Sequence, residues 1–274
     1  MMRVADYIIE RLFDEGAKHI FMVTGRGVLH LSDAVARHKE IKGISVHHEQ
    51  AGSFAAVAYA QRTNKIGACL VSTGCAGTNA ITGLLCAWQD AVPCVFVSGQ
   101  NILKETSRFS GIPLRTFGQQ ETDIISIVEK LTKYATMIID PTQIAYEMDK
   151  ALYLAASGRK GPVWIDVPLD IQNMRIEPGA LVRFAPISDP DFAPDAEDIE
   201  YVVEALQSSE HPVLLLGSGV RASDAIPELE KLLDKFPLPV TYAASATDVY
   251  GASNRLAVGT VGSIGGTRAG NFTV

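Results

Sequence analysis

The amino-acid sequence predicts an α/β fold in which a parallel sheet is covered by helices on both faces. Segments with helical spacing of apolar residues alternate with short apolar runs from residue 4 to residue 168. The run at 92–99 is hydrophobic almost throughout, which is typical of a parallel strand buried on both sides. Glycine-containing turns follow two of the runs, at 24–27 and 72–79, and such turns can bring backbone N–H groups close to a ligand.

The individual elements of this first part of the chain follow from the spacing of apolar residues. Helices are predicted at 4–13, 29–34, 50–62, from about 79 to 88, 124–131 and 142–157. Strands are predicted at 19–23, 43–46, 66–71, 92–99, 134–138 and 161–168, and the strand at 43–46 is expected to be buried. Residues 72–79 are predicted to form a loop of small residues, and residues 100–120 a long ordered loop, because periodic apolar residues are few there.

A change in composition divides the chain into two predicted domains. Residues 1–175 form the first domain, residues 176–194 form a proline-punctuated linker, and residues 195–274 form the second domain. The second domain is predicted to contain a helix at 195–207, a strand at 212–216, a turn at 217–219, a helix through Leu229 and Leu232, and a strand at 238–242. From residue 243 onwards we predict loops, without a closing strand or helix.

The composition excludes several classes of partner. The chain has 274 residues, of which 20% are charged, and a formal net charge of −7 without a cluster of Lys and Arg. We therefore predict no nucleic-acid partner and no membrane partner. No stretch approaches about 18 uninterrupted apolar residues and no signal-peptide pattern is present, so a cytoplasmic protein is predicted. The four cysteines have the spacing neither of a zinc site nor of a disulfide framework, and no metal site is predicted on this chain.

Glu49 lies where the strand at 43–46 passes into the helix at 50–62. A carboxylate in the first turn of a helix complements the helix dipole, and for an isolated glutamate that explanation is sufficient. The neighbouring His47 and His48 are adjacent on a strand, so their side chains point to opposite faces and do not form a metal pair. The residues around Glu49 therefore decide between a structural and a chemical role.

Six short segments carry a resemblance to a known family. They are His48-Glu49-Gln50-Ala51, Thr73-Gly74-Cys75-Ala76-Gly77-Thr78-Asn79-Ala80-Ile81-Thr82-Gly83, Val97-Ser98-Gly99-Gln100, Gln120-Glu121-Thr122-Asp123-Ile124, Gly158-Arg159-Lys160-Gly161-Pro162-Val163 and Asp166-Val167-Pro168. In this order and spacing the chain resembles the thiamine-diphosphate enzymes of the acetolactate synthase group, over essentially its whole length. The resemblance implies a three-layer pyrimidine-binding domain followed by an incomplete, Rossmann-like central domain.

The resemblance also implies roles for individual residues. In the family, the glutamate that matches Glu49 hydrogen-bonds N1′ of the cofactor's aminopyrimidine ring and so promotes removal of the C2 proton, while Gln120 would face the reacting centre. Glu49 and Gln120 are thus the predicted catalytic residues. The predicted cofactor-binding residues are Thr24, Gly25, Glu49, Thr73, Cys75 and Asn79. Two alternatives stay open, namely a helix cap for Asn79 and a loop residue that bonds backbone groups for Gln120.

The cofactors and partners follow from the same resemblance. It implies thiamine diphosphate as cofactor and pyruvate or a related 2-oxo acid as substrate. The sequence contains no Gly-Asp-Gly segment of the kind that holds Mg²⁺ and the diphosphate in the family, so both are expected on a missing or partner domain. We therefore expect a homodimer, a homotetramer, or a complex with a chain that supplies that domain. The resemblance also allows FAD in the central domain, where some relatives bind it.

Four residues depart from the family's pattern. The family's usual Gly-Pro-Gly is Gly74-Cys75-Ala76 here, its second glycine in the first turn is Arg26, and an aromatic residue common before Gln-Glu is Gln119. A cation at position 26 either narrows the site or contacts an acidic or phosphorylated substrate. Both interpretations are consistent with the sequence.

The predicted function is the N-terminal portion of a thiamine-diphosphate-dependent lyase or carboligase that is inactive without a diphosphate-binding domain. One alternative is the pyrimidine-domain subunit of a split 2-oxo-acid decarboxylase, although such subunits usually lack a second α/β unit. Another alternative is a truncated, non-catalytic homologue that acts as an assembly partner. A nicotinamide site at 217–219 is disfavoured, because the third glycine of the fingerprint is missing.

Overall fold

The structure, a computed structural model, describes residues 1–186 and 193–274. The chain divides into two compact units, Met1–Ile187 and Ser188–Val274. Part of the predicted linker, 187–192, lies outside the described residues, and the predicted domain limits stay predictions. No helix of the described residues is long and apolar enough to cross a membrane.

The first unit is built around one parallel sheet. The strands of this unit are β1 (Met2–Arg3), β2 (His19–Met22), β3 (Lys42–Ser45), β4 (Gly67–Val71), β5 (Cys94–Gln100), β6 (Tyr134–Met137), β7 (Val163–Pro168) and β8 (Arg175–Ile176). Its helices are α1 (Val4–Asp14), α2 (Leu29–Arg37), α3 (Glu49–Thr63), α4 (Cys75–Asn79), α5 (Ile81–Gln89), α6 (Ser107–Ser110), α7 (Ile124–Val128), α8 (Ile144–Ala156) and α9 (Leu169–Asn173). Strands β2 to β7 form the sheet in the order β3-β2-β4-β5-β7-β6, and β1 pairs with β8 in the antiparallel sense.

Alternate residues of the central strands pack against helices on opposite faces of this sheet. In β5, Val95 and Val97 belong to one buried cluster, whereas Cys94 and Phe96 belong to the other. Helices α1, α2 and α8 contribute to the first cluster, and α3, α5 and α7 contribute to the second. The predicted α/β class, with helices covering both faces of a parallel sheet, is therefore confirmed.

Strand β3 lies at an edge of the sheet, and the prediction that it is buried was wrong. Three of its four residues are exposed, and only Ile44 is partly buried. Its one neighbour in the described sheet is β2, so one side of the strand has no partner strand to cover it. An apolar run such as that at 43–46 does not distinguish a central strand from an edge strand.

The second unit contains three parallel strands in the order β11-β10-β9, namely β9 (Leu214–Leu216), β10 (Val240–Ala243) and β11 (Ala257–Val261). Its helices are α10 (Ala196–Ser208), α11 (Gly219–Ala222), α12 (Ile226–Lys235) and α13 (Arg268–Thr273). The prediction of loops alone after residue 243 was wrong, because β11 and α13 lie there. Gly259 interrupts the apolar run of β11. Gly270 lets α13 approach β11 so closely that a Cβ atom added at Gly270 would lie 2.3 Å from the carbonyl oxygen of Thr260.

Candidate functional site

A cavity of about 350 Å³ lies at the carboxyl ends of strands β2, β4 and β5, where ligands bind in open parallel sheets. It is lined by Thr24, Gly25, Arg26, Gly27, Glu49, Ser72, Thr73, Cys75, Ala76, Asn79, Gln100, Asn101, Gln119, Gln120 and Leu169. Every residue that the sequence predicts to act in catalysis or cofactor binding belongs to this set. The fold thus brings these residues together, while their individual roles stay predictions.

Glu49 is the first residue of α3, and its position is fixed by the residue before it. His48 is the N-cap of the helix, and its Nδ1 accepts a hydrogen bond from the backbone N–H of Gln50 at 3.2 Å. The side chain of Asn79 donates from Nδ2 to Oε2 of Glu49 at 2.9 Å. The other carboxylate oxygen, Oε1, has no hydrogen-bond partner within residues 1–186 and 193–274, and Glu49 is partly exposed in the cavity wall.

The contact with Glu49 also settles the alternative for Asn79. Asn79 is the last residue of α4, and the N-cap of the following helix α5 is Ala80, which makes no side-chain capping bond. The interpretation of Asn79 as a helix cap was therefore wrong. Its amide instead links the end of α4 to the start of α3.

The turn after β2 packs closely against the turn after β4 at two glycines, Gly25 and Gly27. A Cβ atom added at Gly27 would lie 1.9 Å from Oγ1 of Thr73, and one added at Gly25 would lie 2.4 Å from Oγ of Ser72. The backbone N–H of Gly27 donates to the same Ser72 hydroxyl at 3.3 Å. Glycine at positions 25 and 27 therefore allows the two turns to form one continuous cavity wall.

A third segment reaches the cavity at Gln120, which lies against Gly74. Gln120 has a φ of +58°, a left-handed conformation that is uncommon for a residue with a side chain. Gly74 has a φ of +66°, and a Cβ there would lie 1.9 Å from the carbonyl oxygen of Gln120. The loop predicted at 72–79 was only partly correct, because Cys75–Asn79 is helical after this turn and begins with the exposed thiol of Cys75.

A buried polar network contacts the cavity wall through Gln100, and the sequence did not predict it. Ser98 and Asp166 are directly paired in the register of β5 and β7, and the Ser98 hydroxyl donates to Oδ1 of Asp166 at 2.6 Å. Trp164 Nε1 donates to Ser98 Oγ at 2.8 Å. Gln100, which lines the cavity, donates from Nε2 to Oδ2 of Asp166 at 3.2 Å and to the carbonyl of Thr122 at 3.0 Å. The available sequence signal was a polar residue within each of two apolar strands, and the pairing of the two residues is not visible in the sequence.

Asp166 is the acidic residue of this network. Burial raises the pKa of its carboxyl from 3.8 to about 7, while the hydrogen bonds from Ser98 and Gln100 oppose that rise. The charges of Asp123 and Glu121 add to it. Protonation of Asp166 near neutral pH would therefore change the hydrogen bonding of Gln100 in the cavity wall.

The segment that carries Gln119 and Gln120 is held by side chains on both sides. Asn101 donates from Nδ2 to the carbonyl oxygen of Gln119 at 2.9 Å. The buried carboxylate of Glu121 accepts from the hydroxyl of Ser107 at 2.8 Å and from the backbone N–H of Phe117 at 3.1 Å. The predicted loop at 100–120 is mostly irregular, and α6 and a single 3-10 turn at Leu103–Glu105 give it internal structure.

The chemistry of the cavity wall suits a neutral polar ring. It offers one carboxylate oxygen without a protein partner in the described residues, the amides of Asn79, Gln100 and Gln120, and several hydroxyl groups. Among the described residues that line it, the one cation is Arg26. Within residues 1–186 and 193–274, no group of three or more His, Cys, Asp or Glu side chains is arranged to hold a metal ion.

Two family models match the chain. Residues 2–127 match the model described as thiamine pyrophosphate enzyme, N-terminal TPP binding domain. Residues 199–274 match the model described as thiamine pyrophosphate enzyme, central domain. The first match contains β2 to β5 and the cavity residues up to Gln120, and the second falls within the second unit.

Curated relatives of the chain carry acetolactate synthase names. Acetolactate synthase of Arthrospira platensis is 32% identical over 280 residues, which is 97% of this chain and 46% of that protein. The acetolactate synthase large subunit of Corynebacterium glutamicum is 32% identical over 95% of this chain and 41% of its own length. The chloroplastic acetolactate synthase of Arabidopsis thaliana is 31% identical over 98% of this chain and 39% of its own length. The chain thus spans less than half the length of these relatives.

Proposed function

Because the chain belongs to the thiamine pyrophosphate enzyme family, we propose that its first unit binds the aminopyrimidine ring of thiamine diphosphate. The ring would occupy the cavity between the turns after β2 and β4. We further propose an acetolactate synthase-like lyase or carboligase that acts on pyruvate or a related 2-oxo acid. The names of the curated relatives support this substrate class.

The observation that carries the proposal is the hydrogen-bonded pair of Glu49 and Asn79 in the cavity wall. Asn79 occupies Oε2 of the carboxylate, while Oε1 has no hydrogen-bond partner in the described residues. A carboxylate held in this way can share a proton with a weak ring base, which is the task of a general acid or base. A dipole-complementing glutamate would need neither the amide partner nor a cavity beside it.

Each of the seven predicted site residues has a task in this proposal. Bound thiamine diphosphate supplies the electron sink that decarboxylation and carboligation need. Glu49 holds a proton at N1′ of the ring through Oε1, and Asn79 fixes the orientation of the carboxylate. Gln120 faces the reacting centre. The ring is bordered by Thr24, Gly25, Thr73 and Cys75.

The diphosphate end of the cofactor needs groups that the cavity lacks. Its wall contains one cation, Arg26, and the chain spans 39% to 46% of the length of its curated relatives. We propose that a further domain supplies the diphosphate and Mg²⁺ site, either on the same polypeptide or on the partner in a homodimer or homotetramer. This chain together with that domain is called the complete enzyme below. FAD in the second unit stays a prediction.

Release of CO₂ from 2-oxo acids tests this function. The complete enzyme should release CO₂ from pyruvate or a related 2-oxo acid only when thiamine diphosphate and Mg²⁺ are both present. This chain by itself should release none, because the proposal assigns the diphosphate site to the further domain. Cofactor-independent release, or equal activity of the chain alone, would contradict the proposal.

A further inference from the structure

Arg26 places a positive charge in the wall of the cavity. It is the first residue of a short 3-10 helix, Arg26–Val28, that follows the turn after β2. The cavity is lined by two charged side chains, those of Arg26 and Glu49, and the other lining residues are neutral. The cation is exposed, so it is accessible to a ligand that enters the cavity.

The guanidinium of Arg26 is positioned by a neutral partner. Its Nη1 donates to Oε1 of Gln119 at 3.2 Å, and the backbone of Gln119 is itself held by Asn101. Within residues 1–186 and 193–274, no carboxylate forms an ion pair with Arg26. By contrast, Arg108 near the same loop pairs with Asp123 at 3.0 Å. One of the five N–H donors of Arg26 is therefore used, and no carboxylate of the described residues forms an ion pair with its guanidinium.

This arrangement matches the requirements of anion recognition. An arginine presents a planar fork of donors that binds carboxylate and phosphoryl groups with two parallel hydrogen bonds. The bond to Gln119 restricts the side chain, which reduces the conformational entropy that binding would otherwise cost. An arginine that only narrowed the cavity would not need a hydrogen bond that holds its guanidinium in place. Nor would its guanidinium need to be without an ion pair in the described residues.

We propose that Arg26 selects substrates that carry a second anionic group, a carboxylate or a phosphoryl group, in addition to the carboxylate of the 2-oxo acid. The inference builds on the proposed function, since it assigns the substrate class of that same site. Pyruvate, which has one carboxylate, is then a poorer substrate than a 2-oxo acid with an anionic end group. Arg26 is a specificity residue in this account.

Matched substrates test the inference in the complete enzyme. The pair 2-oxoglutarate and 2-oxopentanoate differ only in a terminal carboxylate against a methyl group, and 3-phosphonopyruvate distinguishes a phosphonate from a carboxylate. A charge-assisted hydrogen bond corresponds to a preference of roughly tenfold to a hundredfold in kcat/KM for the doubly charged substrate. Arg26→Gln should abolish this preference mainly through KM, and Arg26→Lys should retain part of it. Arg115→Gln, an exposed arginine outside the cavity wall, should keep it.

A second readout separates this inference from the proposed function. The side-chain Nε–Hε resonance of Arg26 should shift on titration with 2-oxoglutarate or 3-phosphonopyruvate and not with 2-oxopentanoate. If the shift occurs while no substrate is turned over with thiamine diphosphate, the proposed function fails and anion binding by Arg26 stands. Two results together would overturn the inference: equal kcat/KM for the matched pair, and no resonance shift with the compounds that carry a second anionic group. Arg26 would then be a residue that narrows the cavity.

Discussion

At the scale of single residues, Asp166 couples the stability of the first unit to pH. It is a buried residue of β7, and its carboxyl accepts hydrogen bonds from Ser98 and Gln100. Burial raises its pKa from 3.8 to about 7, so the folded chain binds a proton that the unfolded chain has already lost between these two values. The unfolded state binds fewer protons in that window, and the free energy of unfolding therefore falls as pH rises through it.

Asp166→Asn should remove most of this pH dependence, because the amide does not ionise. We expect the free energy of unfolding of the wild type to decrease between about pH 5 and about pH 8 by an amount on the order of a few kcal/mol relative to the variant. Urea unfolding followed by tryptophan fluorescence measures it, since both tryptophans, Trp88 and Trp164, lie in the first unit.

The control for this measurement is Asp140→Asn. Hydrogen bonds from the side chain and backbone of Thr142 lower the pKa of the exposed Asp140. The contribution of Asp140 to the free energy of unfolding therefore changes only at a more acidic pH than this window. This variant should keep the wild-type pH dependence between about pH 5 and about pH 8. The same dependence in Asp166→Asn as in the wild type would contradict the account of Asp166.

The individual residues of the cavity differ in how far the sequence predicts them. The resemblance predicted seven of the fifteen residues that line it as site residues, while the other eight were not predicted as catalytic or cofactor-binding residues. The network of Ser98 and Asp166 was missed, since it depends on the register between two strands that are distant in sequence. A hydrogen bond across strands has no local signature in either segment.

At the scale of elements, the turn after β4 and the segment before α7 meet at one glycine. Gly74 needs its left-handed conformation and also the absence of a side chain, because the carbonyl oxygen of Gln120 lies where a Cβ would be. Gly111, in the loop after α6, has the same φ of +66°, and a Cβ added there would meet no atom within 4 Å. A comparison of substitutions at these two glycines therefore separates the free-energy cost of a left-handed backbone from the free-energy cost of a steric clash.

Gly74→Ala should destabilise the first unit more than Gly111→Ala. Both variants incur the cost of a left-handed alanine, about 1 to 2 kcal/mol. Gly74→Ala should lose about 1 to 3 kcal/mol more, because the turn must move away from Gln120. Urea unfolding of the two variants measures the difference, and equal losses would show that the contact between the two segments does not constrain the turn.

The elements that were predicted wrongly have a common cause. Long apolar runs and helical spacing identified the sheet and its covering helices, since those elements bury one or both faces. Four of the elements missed or misjudged, β3, α4, β11 and α13, lie at a sheet edge or contain glycine and other small residues. Partner strands and close backbone contacts, which the local sequence does not encode, define such elements.

At the scale of the whole molecule, the chain divides into two compact units, and we propose that it provides one end of a cofactor site. The first unit supplies the carboxylate and amides that suit a pyrimidine ring, whereas its cavity contains a single cation. We therefore expect catalysis only in the complete enzyme. The task that we propose for this chain is the activation of the cofactor by Glu49.

Exchange of the C2 proton of bound thiamine diphosphate with solvent deuterium tests that task most directly. In the complete enzyme, Glu49→Gln should slow the exchange by about a hundredfold or more, because a general acid–base group is lost. Glu40→Gln, which changes an exposed glutamate of the same unit outside the cavity wall, should exchange at the wild-type rate. Exchange at the wild-type rate in Glu49→Gln, with the cofactor bound, would contradict the role assigned to Glu49.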